Sequence, residues 1–600
     1  MAEASARRLL AGAGWKEVCS TRGFRLFITE GARDLDPIVL PNGAGLILGA
    51  LFETEAGLHR RKGAPEPQEV SRWCESNASA LASACWGNYL AIVVDAARDR
   101  ILVARDPTGG RPCYVANLEH HVRIIFTDLS DFATMCPLPD IDETFIGWFL
   151  TQPRLVSDRT GLHGVREVLA GECLAIEVDG AQAHLMWRPP QRARDLMIAP
   201  VADIARELRA CVRSAVAAYA SLERPVLHRL SGGLDSSIAL SALAATEAHG
   251  RLRCVNEFTA DLGEGDERSA ARATASRYGV DLIEMPYRPS DLDYQRLMDV
   301  PLSAKPAITQ LSFADRQLIS HIDPAWATLV TSGQGGDQVF FRSNALCTVA
   351  DAVRDGLSVR AVLVSALNAA RVSRRSIWPA LRMGVEFGLL RRPDTYVREI
   401  LHGIVGRQDA ARVDEVVAEA MADPWVREGL KLGPGAGMRA LHLADLQYYH
   451  APSVITHHAI PAPVLTAQPI IEFCWRVPTY RTTEGGRDRA IARMAFADDL
   501  PPSAVARQRK GDTTRFFAQV AQLNGEFIRD LLIDGELTKM GLFDPKRLNE
   551  KPASAVLDFS QELVAEIWLR RIKAARRAFV EARASARSDR DRADRASPDP

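Results

Sequence analysis

The chain is 600 residues long, carries 74 Lys+Arg against 75 Asp+Glu for a formal net charge of −1, and is 47% hydrophobic and 25% charged. That length exceeds what one hydrophobic core organises and implies two or more domains, while the balanced charge argues against a general nucleic-acid binder. Ten scattered cysteines with no CxxC pair read as buried reduced thiols rather than a disulfide framework or a zinc site. The N-terminus lacks a signal peptide's apolar core and no uncharged run reaches the roughly 18 residues that span a bilayer, so a cytoplasmic location is expected.

From about residue 22 to 187, short apolar runs separated by turn residues (FRLFI, GLILGALF, YLAIVVD, RILVARD, VRIIFTD, ECLAIEV) predict one β-dominated domain over 1–187. RPPQRARDLMIAP, 188–200, breaks the periodicity with prolines and charges and reads as a linker. Beyond it, apolar strands alternate with helical segments to about 340 and helical periodicity continues to about 583, which predicts a parallel α/β sheet with a helical extension over 201–585. Val564, Trp568, Ile572, Ala575 and Phe579 recur at helical spacing and predict a final helix docked on the core. The Arg/Asp/Ser-rich residues 586–600 are expected to form a disordered tail.

The stretch PVLHRLSGGLDSS runs from a strand ending at Leu230 into Ser231, Gly232, Gly233, Leu234, Asp235, Ser236 and Ser237, then into an Ala/Leu-rich helix. No lysine follows the glycines, so this is not a Walker loop. A strand that turns into a helix through Ser-Gly-Gly nonetheless offers free N–H groups, a positive dipole end and hydroxyls for a phosphate. A carboxylate at Asp235 beside a polyphosphate makes sense as a magnesium ligand. The bland alternative is a glycine turn in which Asp235 and the serines are ordinary helix caps.

SGGLDSS resembles the pyrophosphate loop of N-type ATP pyrophosphatases, a group that includes asparagine, β-lactam, GMP and NAD synthetases and tRNA-thiolating enzymes. WATLVTSGQGGDQVFF, 326–341, is similar to the SGEGSDEVFGG segment of asparagine synthetases. That resemblance implies Ser332 and Gly333 near the adenylate and Asp337 joining Asp235 at Mg2+. Gln334 stands where those synthetases place a glutamate, and an amide cannot accept a proton near neutral pH. In 255–285 the resemblance puts Ala260 at the adenine pocket and Asp266-Glu267-Arg268 at the start of the next helix, where acidic residues are also simple dipole partners. Arg507 to Gly511, R-Q-R-K-G, resembles the segment that supplies a catalytic lysine, which would be Lys510 with Arg507 and Arg509 as neighbours.

CWGNYLAIVVDAARDRILVARDPTGGRPCYV, 85–115, is similar to class II glutamine amidotransferase domains. Those work through an N-terminal cysteine, whereas this sequence reads Met1-Ala2-Glu3 with Cys19 as its first cysteine, so a glutaminase-like fold without glutaminase chemistry is expected. The implied fold is α/β: a glutaminase-like sandwich followed by a HUP-like, doubly wound ATP-pyrophosphatase domain. SGQGGD, QPIIE (468–472), GGRDRAIAR (485–493) and R-x-x-K-G resemble the lasso peptide cyclases of this superfamily. Such an enzyme uses ATP and Mg2+ to adenylate a peptide Asp or Glu side chain and close a macrolactam on the peptide's N-terminal amine. The resemblance implies a precursor peptide, a leader-recognition protein and a leader peptidase as partners, with no nucleic acid and no membrane. The alternatives are an ammonia-dependent asparagine synthetase and a catalytically silent peptide- or RNA-binding scaffold. Three further features carry bland readings: GPGAGM (433–438) as a loop, His457-His458 as structural, and Arg371, Arg374, Arg375, Arg391 and Arg392 as a solvated basic face rather than a grip for an acidic peptide.

Overall fold

In the computed structural model of the chain, the described residues are 14–21, 24–29, 37–54, 60–61, 63–118, 122–187, 199–260, 266–307, 314–323, 327–342, 345–405, 412–507, 514–550 and 559–596. Up to Trp187 the strands among them are β1 (Trp15–Thr21), β2 (Phe24–Thr29), β3 (Ile38–Val39), β4 (Gly45–Gly49), β5 (Phe52–Glu53), β6 (Cys85–Trp86), β7 (Tyr89–Asp95), β8 (Arg100–Arg105), β9 (Tyr114–Asn117), β10 (Arg123–Phe126), β11 (Val165–Glu167), β12 (Glu172–Glu177) and β13 (Gly180–Leu185). The six apolar runs of the sequence lie in β2, β4 with β5, β7, β8, β10 and β12. β1 and β13 escaped notice because WKEVCST and GAQAHL are half polar, and β6, β9 and β11 because they are only two to four residues long.

The main sheet is antiparallel in the order β13-β12-β8-β7-β4-β3, and β10-β9-β11 forms a smaller second sheet. The period-two pleat divides the side chains between two cores. Leu90, Val103 and Leu174 face Cys113 and Val115 in one cluster. Tyr89, Ala91, Val93, Leu102 and Ala104 face the other way, into a cluster they share with the second domain. That junction holds Phe52, Trp86 and Tyr219, with ring centroids 4.7 Å (Phe52–Trp86) and 5.3 Å (Phe52–Tyr219) apart. Most of the expected linker, 188–198, lies outside the described residues.

The second domain is built on a wholly parallel sheet of β14 (Val226–Arg229), β15 (Leu252–Thr259), β16 (Leu282–Tyr287), β17 (Leu329–Ser332) and β18 (Ile460–Pro461) in the order β16-β15-β14-β17-β18. The chain winds one way from β14 to β16 and the other way from β17, so the topological switch lies between β14 and β17, where doubly wound sheets open a crevice at their carboxyl ends. The last strand was not visible in the sequence, because only two residues return to the sheet after the helical extension. GPGAGM is not a loop: Pro434 opens the helix Pro434–Ala444, whose Gly435 and Ala436 N–H groups each donate to the Asp351 carboxylate at 2.9 Å. The glycines there allow close packing, since a Cβ on Gly437 would come 2.6 Å from Leu430. The final helix runs Ser560–Ala596. Ala and Arg favour helix, and no proline follows Pro552 until Pro598. Its Trp568 is buried and donates from Nε1 to the Ser303 carbonyl at 2.7 Å. No helix among the described residues is long and apolar enough to cross a membrane.

His457 is a tie between the domains, as its bland reading held: Nε2 lies 2.7 Å from the Asp128 carboxylate. The bond to Asp128 raises the imidazole above its ordinary 6.5, while burial of Asp128 is outweighed by that partner and its carboxyl is held below the usual range. The pair therefore stabilises most fully below pH 6.5 and weakens as pH rises through the folded-state value of His457. Thermal melts of His457→Gln against the parent protein should show a deficit at pH 6 that disappears by about pH 8.5. A deficit independent of pH would mean that packing, not the charge, is what His457 supplies.

Candidate functional site

β14 ends at Arg229, and Leu230 continues it by donating its N–H to the Val255 carbonyl at 2.8 Å while its own carbonyl accepts from Asn256 Nδ2 at 2.7 Å. The chain then reverses through Gly232, whose φ of +84° suits glycine, and enters the helix Leu234–Ala244 with Gly233 at the N-cap. A Cβ on Gly232 would also lie 2.6 Å from the Glu267 carbonyl. Ser231 Oγ accepts the Gly233 N–H at 3.2 Å and lies 3.0 Å from Ser236 Oγ, so two of the three serines cluster at the loop mouth. Ser237 is fully buried, with its hydroxyl 3.5 Å from that of Thr274, and so is turned away from the mouth. Leu234 is buried as well. The first-turn N–H groups of this helix have no intrahelical acceptor.

One strand over, Ser332 ends β17 in register with Arg229, and the turn Gly333-Gln334-Gly335 leads to Asp337 on the short helix Gly336–Val339. The two loops touch: a Cβ on Gly333 would fall 2.3 Å from the Ser236 nitrogen, and one on Gly336 would fall 2.6 Å from Asp235 Cβ. Beneath them His228 is fully buried and pushed down to about 4 by that burial. Its Nε2 sits 2.9 Å from the Ser236 carbonyl and its Nδ1 2.9 Å from Thr331 Oγ1. A carbonyl only accepts, so Nε2–H donates and Nδ1 accepts the threonine hydroxyl. This neutral histidine joins β14, β17 and the first helix turn, a role that the bare sequence PVLHRL gave no means of assigning.

Asp235 and Asp337 are brought together, and between them stands a residue that the sequence did not single out. Arg489 Nη1 donates to Asp235 Oδ2 and to Asp337 Oδ1, each at 2.7 Å, and Nε donates to Asp488 at 2.9 Å. Arg489 is 96% buried and held at φ 51°, ψ 39°, in the left-handed region, which costs a non-glycine residue about 1–2 kcal/mol. Burial would lower its pKa, but Asp235, Asp337 and Asp488 outweigh burial and raise it. Arg493 clamps Asp488 from the next helical turn, at 2.8 Å. Two carboxylates converging on one cationic nitrogen form a hard-oxygen pair of the kind that Mg2+ takes, with its remaining positions left to phosphate and water, so the donor set fits that ion.

Ala260, half-buried, follows the carboxyl end of β15, beside β14, where its N–H donates to the Tyr287 carbonyl at 2.8 Å. The Asp266-Glu267-Arg268 segment divides its labour. Asp266 accepts the Arg268 N–H at 2.9 Å as a cap, whereas Glu267 reaches Arg507 at 3.0 Å. That ion pair fixes the start of R-Q-R-K-G against the glycine loop, although Arg509 and Lys510 themselves lie outside the described residues. Gln334 is exposed at the mouth, its N–H donating to Ser332 Oγ at 3.1 Å. In the first domain, Cys19, Cys74, Cys85, Cys113, Cys136 and Cys173 are all buried. Desolvation pushes Cys74 and Cys85 up to about 11 and Cys113 and Cys173 up to about 12, which is the reverse of an activated thiolate.

Residues 207–432 and 458–570, more than half of the chain, match the family described as asparagine synthase. The sequence is also similar to "Asparagine synthetase [glutamine-hydrolyzing] 1" of Bacillus subtilis (strain 168), at 25% identity over 247 residues. That alignment covers 40% of this chain and 36% of the Bacillus protein, so it spans well under half of either.

Proposed function

The chain belongs to the asparagine synthase family, and we propose that within it the protein is an ATP-dependent, AMP-forming ligase that closes a peptide macrolactam. The observation that carries this reading is the meeting of SGGLDSS and SGQGGD at the switch point, with Asp235 and Asp337 facing one cationic centre. The backbone of Gly232 to Ser236 and the hydroxyls of Ser231 and Ser236 cradle the pyrophosphate portion of ATP; Ala260, Ser332 and Gly333 border the nucleoside side. Asp235 and Asp337 are the magnesium ligands. Magnesium, when bound, neutralises phosphate charge and orients the triphosphate.

A peptide Asp or Glu carboxylate attacks the α-phosphorus, the bond to the bridging oxygen breaks, and pyrophosphate leaves. Lys510 carries the charge that develops on the phosphates. The peptide's own N-terminal amine then attacks the acyl carbon, AMP departs with the electron pair, and the nitrogen loses a proton to form the amide. Gln334 cannot take that proton, so the chain's main contribution is position: an amine tethered in attack geometry supplies about 7 kcal/mol or more. The amine is assigned to the peptide because every described cysteine of the first domain is a buried thiol, which supports an amine source other than glutamine hydrolysis by those residues. A precursor peptide, with proteins that recognise and remove its leader, would be the partners.

Mass spectrometry of reactions with ATP tests the proposal. A peptide bearing a free N-terminal amine and an internal Asp or Glu should lose one water as AMP and pyrophosphate appear. Conversion of aspartate and ammonia to asparagine, with the peptide untouched, would replace this reading by the synthetase one. No pyrophosphate with either substrate would leave only a silent scaffold.

A further inference from the structure

Half of the exposed large apolar side chains among the described residues fall between Val359 and Leu390. This segment is a helical hairpin: Val359–Ser373, a turn at Arg374 in the left-handed region, then Ile377–Val385 continued by a wider turn over Glu386–Leu390. Its inner faces are committed, since Ala366, Ala369 and Ala380 pack with Ala345, Leu346 and Val349. Its outer face is not. Val359, Leu363 and Leu367 recur at i, i+4, i+8 in solvent, and Trp378 is 74% and Leu390 76% exposed on the second limb. A tryptophan covers roughly 150–250 Å² when buried, and contiguous apolar surface of this kind marks an interaction site.

The charge on that surface is predominantly positive. Residues 356–392 contain seven arginines, no lysine and one acid, Glu386. Arg382 and Arg391 both pair with Glu386, at 3.3 and 2.9 Å. Among the described residues, Arg360, Arg374 and Arg375 have no carboxylate partner. The chain as a whole is nearly neutral, so the patch is a local feature rather than a reflection of bulk composition. The hairpin also abuts the site: a Cβ on Gly486 would meet Arg371 Cδ at 2.7 Å, and Gly486 closes the turn that leads into Asp488 and Arg489.

We propose that the outer face of this hairpin is the docking surface for a separate protein that presents an apolar helical strip rimmed by Asp and Glu. Arginine in place of lysine is the usual choice for ion pairs across protein interfaces. A second copy of this chain would bring arginine against arginine across a twofold axis. A membrane would call for a helix free to sink its apolar face among acyl chains, whereas this hairpin is pinned by its packed inner face. A partner seated here lies against the segment that positions Arg489, where delivery of substrate and assembly of the cation centre can be linked.

The test uses the full chain and a synthetic amphipathic helix of about 20 residues, leucine on one face and glutamate on the other, with a twin carrying lysine for glutamate. The acidic peptide should bind saturably and at least about tenfold more tightly than its twin, and shift a tryptophan emission that is missing in Trp378→Phe. Binding should be lost both in Leu363→Ser/Leu367→Ser and in Arg374→Glu/Arg375→Glu, the second pair being exposed and checked for an unchanged melting temperature. Absent binding, equal binding of the two peptides, or binding kept by the charge-reversed protein would overturn the proposal. So would preferential uptake by phosphatidylcholine–phosphatidylglycerol vesicles, or a concentration-dependent self-association of the parent protein that the leucine variants abolish.

Discussion

Arg489→Met should lower the stability of the nucleotide-free protein by about 3 kcal/mol and cut ATP-dependent pyrophosphate release by at least about a hundredfold. The first figure follows from what remains: Asp235, 7% exposed at its side chain, and Asp337, 25% exposed, would lose the nitrogen they share. Removing one member of a buried charge cluster typically costs 3–5 kcal/mol. One feature softens the loss. Arg342, 3.7 Å from Asp337, remains as a distant partner, although the left-handed backbone at position 489 stays as strained for methionine as for arginine. The second figure follows from the loss of a fixed cation beside developing phosphate charge, worth about 2.7–4 kcal/mol in comparable sites. Millimolar Mg2+ or Mn2+ should raise the melting temperature of the variant more than that of the parent, because a divalent ion can replace the missing guanidinium between two carboxylates. If the variant melts as the parent does, or if the metals stabilise both alike, Asp235 and Asp337 do not form a cation site.

Legibility in the sequence followed physical range. The SGGLDSS and SGQGGD loops could be read because each is a local device, a strand ending in glycines that opens a helix. Their meeting was also foreseeable, since a parallel sheet places all such loops on one edge. Arg489 was not, because its partners lie 254 and 152 residues away and its backbone conformation is one that sequence assigns to Gly or Asn. The signal was there only in part: R-D-R directly before the apolar AIARMAF places three charges at the entrance of a helix that is otherwise buried. Glu267 could be separated from Asp266 only by seeing which of them turns to Arg507. His457 took its meaning from Asp128, 329 residues earlier. In the first domain the missed strands were those whose apolar residues come from tertiary pairing rather than from their own pattern, as β13 does by lying along β12.

Gly333→Ala should destabilise the protein far more than Gly233→Ala. Sequence alone ranks them alike, both being glycines in Ser-Gly turns. At Gly333 the new carbon would stand 2.3 Å from the Ser236 nitrogen and 2.7 Å from the Asp235 carbonyl carbon, both backbone atoms that no rotamer change can clear. The loops must part by about 1 Å, an overpacking cost of about 1–3 kcal/mol. The same displacement carries Asp337 away from Asp235, and misplacement on that scale can cost about a hundredfold in rate. At Gly233 the backbone, φ −76° and ψ 170°, is open to any residue, and the methyl would meet only Ser231 Oγ at 3.3 Å and Glu267 Oε2 at 3.8 Å. Denaturant melts should therefore place Gly333→Ala clearly below the parent and Gly233→Ala within about 0.5 kcal/mol of it. Equal stability for all three proteins would mean that the two loops are not held in contact. A Gly233→Ala protein that is as stable as the parent yet releases no pyrophosphate would put the phosphates directly against that methyl, as the proposed cradle requires.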